Sequence, residues 1–420
     1  MIRVVVTQYV TRGVAALSAI AAAVVLVACG LAGEREQAPE PLLIGQLNAI
    51  TGSLSSSDSL RHAAVLAADH VNRAGGVAGA PVVVITTDTG ADPARGVDAA
   101  RALVDEQHAA VLLGARNSSV TIAVAEQVSV PRKRLQISSV STSPMITGLP
   151  DDDFLFRTVV SDSAQGVVLA RLAVEQGYER VAVMYFDNAY GQGLAAQFEA
   201  TFGSLGGEVT SLVPHGDGQP TYVAELERAA MGDPDALVVI SYPGQATVYL
   251  REALDGGFAD TFLLVDATRS AEMIEAVGWD ALEGVRGTSA GSPASAENRA
   301  FTAAYVEAHG ASVPTHPLTA QTYDAAALIA LAAAQAGSTT DPEAIRDALR
   351  SVANPPGEVV GPGVRGIAHA LALVAEGKDI NYEGASGPVD FDENGDVTGP
   401  IEVWKVEDGE IRSTGRLELP

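Results

Sequence analysis

Short apolar runs alternate with helical periods from residue 42 onward. Residues 42–47 predict a strand, and residues 59–74 repeat small and apolar side chains at the spacing of one helix face. This alternation is typical of a βα series, which favours a doubly wound parallel sheet. The series continues with strands predicted in residues 82–88, 109–115 and 135–141 and helices over 93–106 and 118–128.

A second series follows a joining segment at residues 154–161, so the chain is expected to form two lobes. Its predicted strands lie in residues 180–187, 208–214, 236–242 and 261–266, and its predicted helices in 190–205, 222–230, 246–255 and 270–277. The helix-rich segments beyond residue 291 contain too few strands for a third sheet. We expect them to cover the first lobe; they lie at residues 295–309, 319–336 and 341–351.

The first 28 residues have the form of a secretory signal peptide. Arg3 and Arg12 precede an almost wholly apolar stretch, residues 13–28, that is short for a membrane span. The following Cys29 completes a sequence that resembles the bacterial lipobox, in which the cysteine is acylated after cleavage. The alternative is an uncleaved signal anchor. We expect a lipidated tether over residues 29–41 and an extracytoplasmic remainder held to the membrane by its lipid anchor only.

Composition excludes several classes of protein. The 420 residues include 26 basic and 52 acidic side chains, and a net charge of -26 repels nucleic-acid backbones, so no nucleic acid is expected as a partner. The single cysteine rules out an intramolecular disulfide and a multi-thiolate metal site.

The loops that end the predicted strands are rich in hydroxyl and carboxyl groups. In open α/β sheets, ligands bind beyond the carboxyl ends of the strands, where loops enter helices. Hydroxyls and helix N-termini suit a carboxylate, and an opposing carboxylate suits an ammonium group. This pattern indicates an amino-acid zwitterion as the ligand. The polar positions are Asn117–Ser119, Ser141–Ser143, Asp187–Tyr190, Tyr242 and Asp266.

Several segments resemble one known family in both order and spacing. They are GQLNAITG with NRAGGVAGAPV, GARNSSVTIAVAE with ISSVSTSPMIT, FRTVVSDSAQG, FDNAYGQGLAAQFE with ISYPGQA and LLVDAT, and the C-terminal run INYEGASGPVDFDENGDVTGPIEVWKV. From residue 42 onward the chain resembles the type I periplasmic binding proteins of ABC transporters, specifically the branched-chain amino-acid and amide-binding family.

The resemblance implies an α/β type I periplasmic binding protein fold, whose two doubly wound lobes are joined by three hinge crossings. The crossings are expected near residues 157–161, 288–292 and 385–389. Lobe 1 would comprise residues 42–158 and 291–386, and lobe 2 residues 159–290 and 387–420.

The resemblance also implies roles for individual residues. Ser118 and the backbone N–H of Thr142 would hold the ligand carboxylate. Asp266, the Val140 carbonyl and the Thr142 hydroxyl would hold its amine. The remaining ligand-binding candidates are Ser141, Tyr190 and Tyr242.

Each assignment has a structural alternative. Ser118 and Thr142 also suit helix N-caps, and the tyrosines also suit a lobe core. Asp266 is alternatively a cap or the partner of Arg269. Arg269 and Arg116 depart from the pattern, and they are either solvated or hold a second acidic group on a ligand larger than leucine.

Two further motifs are rejected. Residues 287–291 fit the G-x-S-x-G nucleophile elbow, with His309, His316 and His369 downstream, but Ser292-Pro293 follows where the helix must begin. Asp390, Asp392, Asn394 and Gly395 begin like an EF-hand loop, but Ile401 occupies the glutamate position. No nucleotide-binding or zinc motif occurs. We therefore expect no catalytic residue, metal or cofactor.

The function expected from these features is that of a solute-binding lipoprotein. It would capture a small polar ligand, in our interpretation an amino acid, by closure of its lobes and deliver it to the membrane subunits of an ABC permease. The alternative is a sensory receptor domain that reports ligand occupancy to a separate signalling protein.

Overall fold

The computed structural model describes residues 39–52, 58–310 and 318–420. The expected signal peptide, Cys29 and most of the tether lie outside these ranges, so lipid anchoring stays a prediction. Across the described ranges, no helix is both long enough and apolar enough to cross a membrane.

Strands and helices alternate along most of the described chain. The strands are β1 (Leu42–Asn48), β2 (Val82–Asp88), β3 (Val111–Leu113), β4 (Leu135–Ser138), β5 (Leu155–Arg157), β6 (Arg180–Phe186), β7 (Glu208–His215), β8 (Ala236–Ile240), β9 (Phe262–Leu264), β10 (Arg286–Ala290), β11 (Glu358–Val360), β12 (Ile380–Gly384), β13 (Gly387–Pro388), β14 (Ile401–Glu407) and β15 (Glu410–Glu418). The α-helices are α1 (Ser59–Arg73), α2 (Pro93–Arg101), α3 (Ser118–Val124), α4 (Asp162–Glu175), α5 (Ala189–Ser204), α6 (Val223–Ala229), α7 (Pro243–Gly256), α8 (Ala271–Val277), α9 (Ala296–His309), α10 (Thr319–Ala336), α11 (Pro342–Ala353) and α12 (Gly363–Ala375).

The first sheet has the strand order β2-β1-β3-β4-β5, and all its strands are parallel. Its side chains alternate between two cores, as the pleat requires. Val111 and Leu113 of β3 pack with α1 and α10 on one face, while Leu112 packs with α2 and α3 on the other. Both faces are therefore covered, which confirms the doubly wound arrangement. We call this sheet and the elements packed on it lobe 1.

The second sheet has the order β15-β14-β10-β9-β8-β6-β7. Strands β6 to β10 are parallel, and the C-terminal strands β14 and β15 join antiparallel beside β10. Val181 and Val183 of β6 pack with α4 and α5, whereas Ala182 and Met184 face the opposite core, which contains α6 and α7. This sheet and its helices form lobe 2.

The helix-rich region beyond residue 291 packs on lobe 1, as its lack of strands predicts. Helix α10 is buried along its length from Thr319 to Ala333, and α9, α11 and α12 contribute to the same core. A small sheet, β11-β12-β13, lies in this region and is absent from the sequence-based prediction.

The last passage from lobe 1 to lobe 2 lies later than expected. Val389, Phe391 and Val397 belong to the lobe 1 core, whereas Ile401 is the first residue of β14 in lobe 2. The expected crossing at residues 385–389 is therefore displaced toward the C-terminus, because these apolar side chains bury against lobe 1.

The segment that resembles an EF-hand forms a tight turn. The Asp392 carboxylate accepts hydrogen bonds from the N–H groups of Asn394 (2.8 Å) and Asp396 (2.9 Å). Gly395 adopts a φ of +71°, and a Cβ there would come within 2.7 Å of the Leu155 carbonyl oxygen. The turn presents Asp396 to the fully buried Arg157, whose Nε and Nη2 donate to its two carboxylate oxygens.

Candidate ligand-binding site

A cavity lies between the carboxyl ends of the two sheets. The structure brings together six of the seven predicted ligand-binding residues on its walls. The lining residues are Arg116, Ser118, Val140 and Thr142 from lobe 1, Tyr190, Tyr242, Asp266 and Ala267 from lobe 2, and Leu318.

Ser141 is the seventh predicted residue, and it does not line this cavity. Its hydroxyl donates to the carbonyl oxygen of Ala115 (3.0 Å) and lies 2.7 Å from the Thr121 hydroxyl, inside lobe 1. Ser118, by contrast, does line the cavity. Its hydroxyl accepts a long hydrogen bond of 3.4 Å from the N–H of Ser143.

Two asparagine caps set the orientation of the loops that carry Ser118 and Tyr190. Asn117 precedes α3 and accepts from the N–H of Ser119 (3.0 Å), and Asn188 precedes α5 and accepts from the N–H of Gly191 (3.0 Å). These bonds fix which side of each amide is oxygen. The opposite Nδ2 atoms of both asparagines donate to the Tyr242 hydroxyl at 3.1 Å.

The Tyr242 hydroxyl therefore uses its oxygen twice as an acceptor. Among the described residues no hydrogen bond donated by this hydroxyl is present, so its proton remains available to an acceptor in the cavity. Burial raises the pKa of Tyr242 to about 12, although the Asn188 hydrogen bond and the charge of Arg116 act in the opposite direction. The group is a neutral donor at ordinary pH.

Asp266 supplies a carboxylate to the lobe 2 wall. Tyr190 Oη donates to its Oδ1 at 2.6 Å, and Gln165 Nε2 donates to the same atom at 3.1 Å. Burial raises the pKa of the Asp266 carboxyl, while these two donors counter that effect. The donors also hold the carboxylate at the cavity, so Asp266 is a wall residue with a fixed position.

Asp162 orients the Thr142 hydroxyl. Thr142 Oγ1 donates to Asp162 Oδ2 at 2.7 Å, and the N–H of Asp162 donates to the carbonyl oxygen of Thr142 at 2.8 Å. With its proton engaged, the Thr142 hydroxyl can offer a ligand only its lone pairs. Burial, and then the charge of Asp266, raise the pKa of Asp162 well above its usual range.

The two arginines that depart from the family pattern have different environments. Arg269 Nη1 donates to Glu402 at 2.6 Å and to the Ser289 hydroxyl at 3.0 Å, so it is the partner of Glu402 rather than of Asp266. Arg116 lines the cavity instead. Burial lowers its pKa, and the Tyr242 hydroxyl and the Asp266 carboxylate act in the opposite direction.

The two lobes touch around the cavity. The Ser143 hydroxyl donates to the carbonyl oxygen of Ala189 at 2.7 Å, and the N–H of Ala189 donates to the Ser119 hydroxyl at 3.1 Å. A Cβ on Gly193 would lie 2.8 Å from Pro144 Cδ. Together with the Asn117–Tyr242 bond, these contacts define a closed arrangement of the lobes.

The rejected motifs have structural roles in the described chain. Ser289 lies inside β10 and accepts a hydrogen bond from Arg269, so residues 287–291 do not form a strand-to-helix elbow. His309 stacks on His62, His369 bonds to Glu358, and His316 lies outside the described residues. Within the described ranges, no group of three or more His, Cys, Asp or Glu residues is arranged to hold a metal ion.

Several site residues were not singled out from sequence. Asn117 and Asn188 stood within the polar loops, but their bonds to Tyr242 depend on the approach of two lobes. Asp162 and Gln165 lie together in the SDSAQG segment after the first crossing. A Ser-Asp pair opening a helix reads as a cap, and Ser161 indeed caps α4.

Residues 41–410 match the family model described as periplasmic binding protein. The chemotactic signal transduction system substrate-binding protein BasB of Halobacterium salinarum is 30% identical over 363 residues, which cover 84% of this chain and 84% of that protein. The Leu/Ile/Val-binding protein BraC3 of Rhizobium johnstonii is 26% identical, with coverages of 88% and 93%.

A solved structure shares the architecture. The leucine-binding protein LivK of Thermotoga maritima superposes with a TM-score of 0.75 at 25% identity, covering 90% of this chain and 99% of that one. The chain therefore belongs to the periplasmic binding protein family, whose members bind solutes outside the cytoplasm and are not enzymes.

Proposed function

We propose that this protein captures an α-amino acid in the cavity between its lobes and delivers it to the membrane subunits of an ABC permease. In this proposal the protein is held at the membrane through acylated Cys29. The observation that carries it is the Asp266 carboxylate, fixed by Tyr190 and Gln165, on a wall opposite hydroxyl groups of lobe 1.

The binding mode follows from the chemistry of the two walls. The ligand ammonium group would lie against Asp266, the Val140 carbonyl and the lone pairs of the Thr142 hydroxyl, all of which are acceptors. The ligand carboxylate would lie against Ser118 and the N–H of Thr142. Contacts with both lobes would stabilise the closed form, since a ligand shifts a conformational equilibrium by its differential affinity for the two states.

Asp266→Asn is the first test, because it keeps the shape of the side chain and removes its charge. Deleting one partner of a buried charge-assisted bond costs about 2 to 5 kcal/mol, so affinity should fall at least about tenfold. Calorimetry with a panel of L-amino acids and their des-amino analogues measures this loss. The analogues should bind weakly to the wild type, and their affinity for Asp266→Asn should be nearly the same.

Asp187→Asn is the matched control, since Asp187 follows β6 of the same sheet, is exposed and accepts a hydrogen bond from Gln192. Its affinity should equal that of the wild type. Asp266→Asn binding as tightly as the wild type, or an analogue penalty unchanged in that variant, contradicts the proposal.

A second candidate function is sensing, which the name of the 30%-identical BasB favours. In that case the closed form would be recognised by a signalling protein instead of a permease. A deletion strain separates the two: loss of labelled amino-acid uptake with an intact swimming response supports transport, and the reverse supports sensing. A permease gene pair beside this gene points to transport as well.

A further inference from the structure

Arg116 stands where the ligand cavity continues into lobe 1. Besides the main cavity, Arg116 and Val140 line a smaller adjoining cavity. The polar residues on the far wall of this smaller cavity are uncharged: Gln46, Asn48, Ser139 and Thr322. The guanidinium is thus the charged group at the junction of the two spaces among the described lining residues.

Tyr242 adds a second donor to the same part of the main cavity. Its oxygen accepts from Asn117 and Asn188, both held in one orientation by their cap bonds, which leaves its proton for an acceptor in the cavity. Arg116 and Tyr242 both line this cavity, so a bound ligand can meet both groups. A guanidinium beside a hydroxyl donor suits an anionic oxygen.

In the proposed binding mode, the main chain of an amino acid uses neither Arg116 nor Tyr242. Asp266 takes the ammonium group, and Ser118 with the Thr142 N–H takes the α-carboxylate. Arg116 and Tyr242 then face the rest of the ligand, which is its side chain.

We propose that Arg116 and Tyr242 form a second anion subsite and that this protein selects α-amino acids with an acidic side chain. The inference rests on the proposed function and names its substrate class. Arg116 is the specificity-determining residue, because the charge of its side chain distinguishes a carboxylate from its amide.

The same residue discriminates against apolar amino acids. An aliphatic ligand side chain at this subsite would displace water from the Arg116 guanidinium and replace it with hydrocarbon. Burying a charge against apolar groups in this way is unfavourable in free energy. A side-chain carboxylate would instead receive charge-assisted hydrogen bonds. The selectivity therefore differs from that named for BraC3, whose name specifies Leu, Ile and Val.

Calorimetry on the purified wild type tests the inference with two isosteric pairs, L-glutamate against L-glutamine and L-aspartate against L-asparagine, and with L-leucine. At least one acid should bind about tenfold or more tightly than its amide and than leucine. Arg116→Gln should abolish this preference, leaving acid and amide within about twofold. Arg116→Lys should retain part of it, because an ammonium group keeps the charge but lacks the planar fork of a guanidinium.

The wild-type comparison needs no variant, so a poorly folded Arg116→Gln would not remove the test. An amide or leucine that binds the wild type as tightly as the acids overturns the subsite while the proposed function stands. Equal weakening of all ligands by Arg116→Gln also overturns it, because Arg116 would then hold the α-carboxylate common to them. If no α-amino acid of any charge binds, the proposed function fails and this inference fails with it.

Discussion

The polarity of single hydrogen bonds decides what the cavity can recognise. The Thr142 hydroxyl donates a hydrogen bond to Asp162 and so presents only lone pairs to a ligand. The Tyr242 hydroxyl accepts hydrogen bonds from two amide groups and so presents its own O–H to a ligand. The two hydroxyls are the same functional group with opposite roles. Asp162, Asn117 and Asn188 assign these roles without lining the cavity.

Ligand affinity should depend on pH through Asp266. Burial raises the pKa of this carboxyl above its ordinary value of 3.8, so it gains a proton at a higher pH than a free aspartate. The protonated form has no charge for an ammonium group. Because an acid loses its charge as pH falls, affinity should weaken as pH is lowered from neutral into the acidic range, and the loss should begin above the pH at which a free aspartate gains its proton.

Calorimetry across that range checks the expectation, with Asp266→Asn as the control. The neighbouring groups that titrate or carry charge are Asp162, Tyr190 and Arg116. They are shared by both proteins, so a slope present in the wild type and absent in the variant belongs to Asp266. Equal slopes would assign it to one of the others.

The sequence predicts which residues line the cavity better than it predicts which of them donate or accept hydrogen bonds. Ser118, Thr142, Tyr190, Tyr242 and Asp266 follow strand ends, and all strand ends of a parallel sheet meet at one edge, so their convergence on the cavity could be predicted. The partner of Arg269 could not, because Glu402 lies 133 residues further along the chain.

The turn at residues 392–396 anchors the end of lobe 1 through a buried ion pair. Arg157 of β5 is fully buried and reaches Asp396, which also accepts from Thr147 at 2.6 Å. Replacing both partners of a buried ion pair with apolar residues often leaves the stability of a protein unchanged. Removing only one partner leaves a buried, unpaired charge and lowers the stability by about 3 to 5 kcal/mol. The turn is thus a stability element.

Asp396→Asn should therefore lower the free energy of unfolding by about 3 kcal/mol or more. Asp347 is the ion-pair partner of Arg346, and its side chain is 67% exposed. Asp347→Asn should therefore change the free energy of unfolding by less than about 1 kcal/mol. Urea unfolding of the two variants measures the difference. Equal effects would mean that the Arg157–Asp396 pair carries no more stability than a surface pair.

Most elements of the two sheets could be predicted, and the small sheet could not. Helix α1 begins at the predicted residue and ends one residue early. Strands β11 and β13 have three and two residues, too few to show a period. Helix α12 is also absent from the sequence-based prediction, although Ile367, Ala370 and Leu373 repeat every third residue and are buried.

Closure of the whole molecule depends on a glycine in α5. Gly193 faces Pro144 and Ser143 of lobe 1, and a Cβ would lie 2.8 and 2.9 Å from their side-chain atoms. At such short distances, the Pro144 and Ser143 side chains or the helix itself would have to shift. Gly193→Ala should therefore act as a wedge in the closed form, although alanine is the better helix former by about 1 kcal/mol.

We expect Gly193→Ala to unfold at a temperature no lower than the wild type and to bind ligand at least about tenfold more weakly. Small-angle scattering should show that a bound ligand compacts the wild type and fails to compact this variant. Gly203→Ala in the same helix is the control, because its Cβ would meet no atom within 4 Å. Full compaction of Gly193→Ala at saturating ligand would contradict the wedge.

The interleaved path of the chain has a consequence for biosynthesis. The lobe 1 core needs Phe391 and Val397, and the lobe 2 sheet needs residues 401–420 to cover the edge of β10. During translation lobe 1 cannot be completed before Val397 has left the ribosome, nor lobe 2 before β14 and β15 have left it. Lobe 2 would meanwhile present an unpaired β10 edge, which is prone to mispairing.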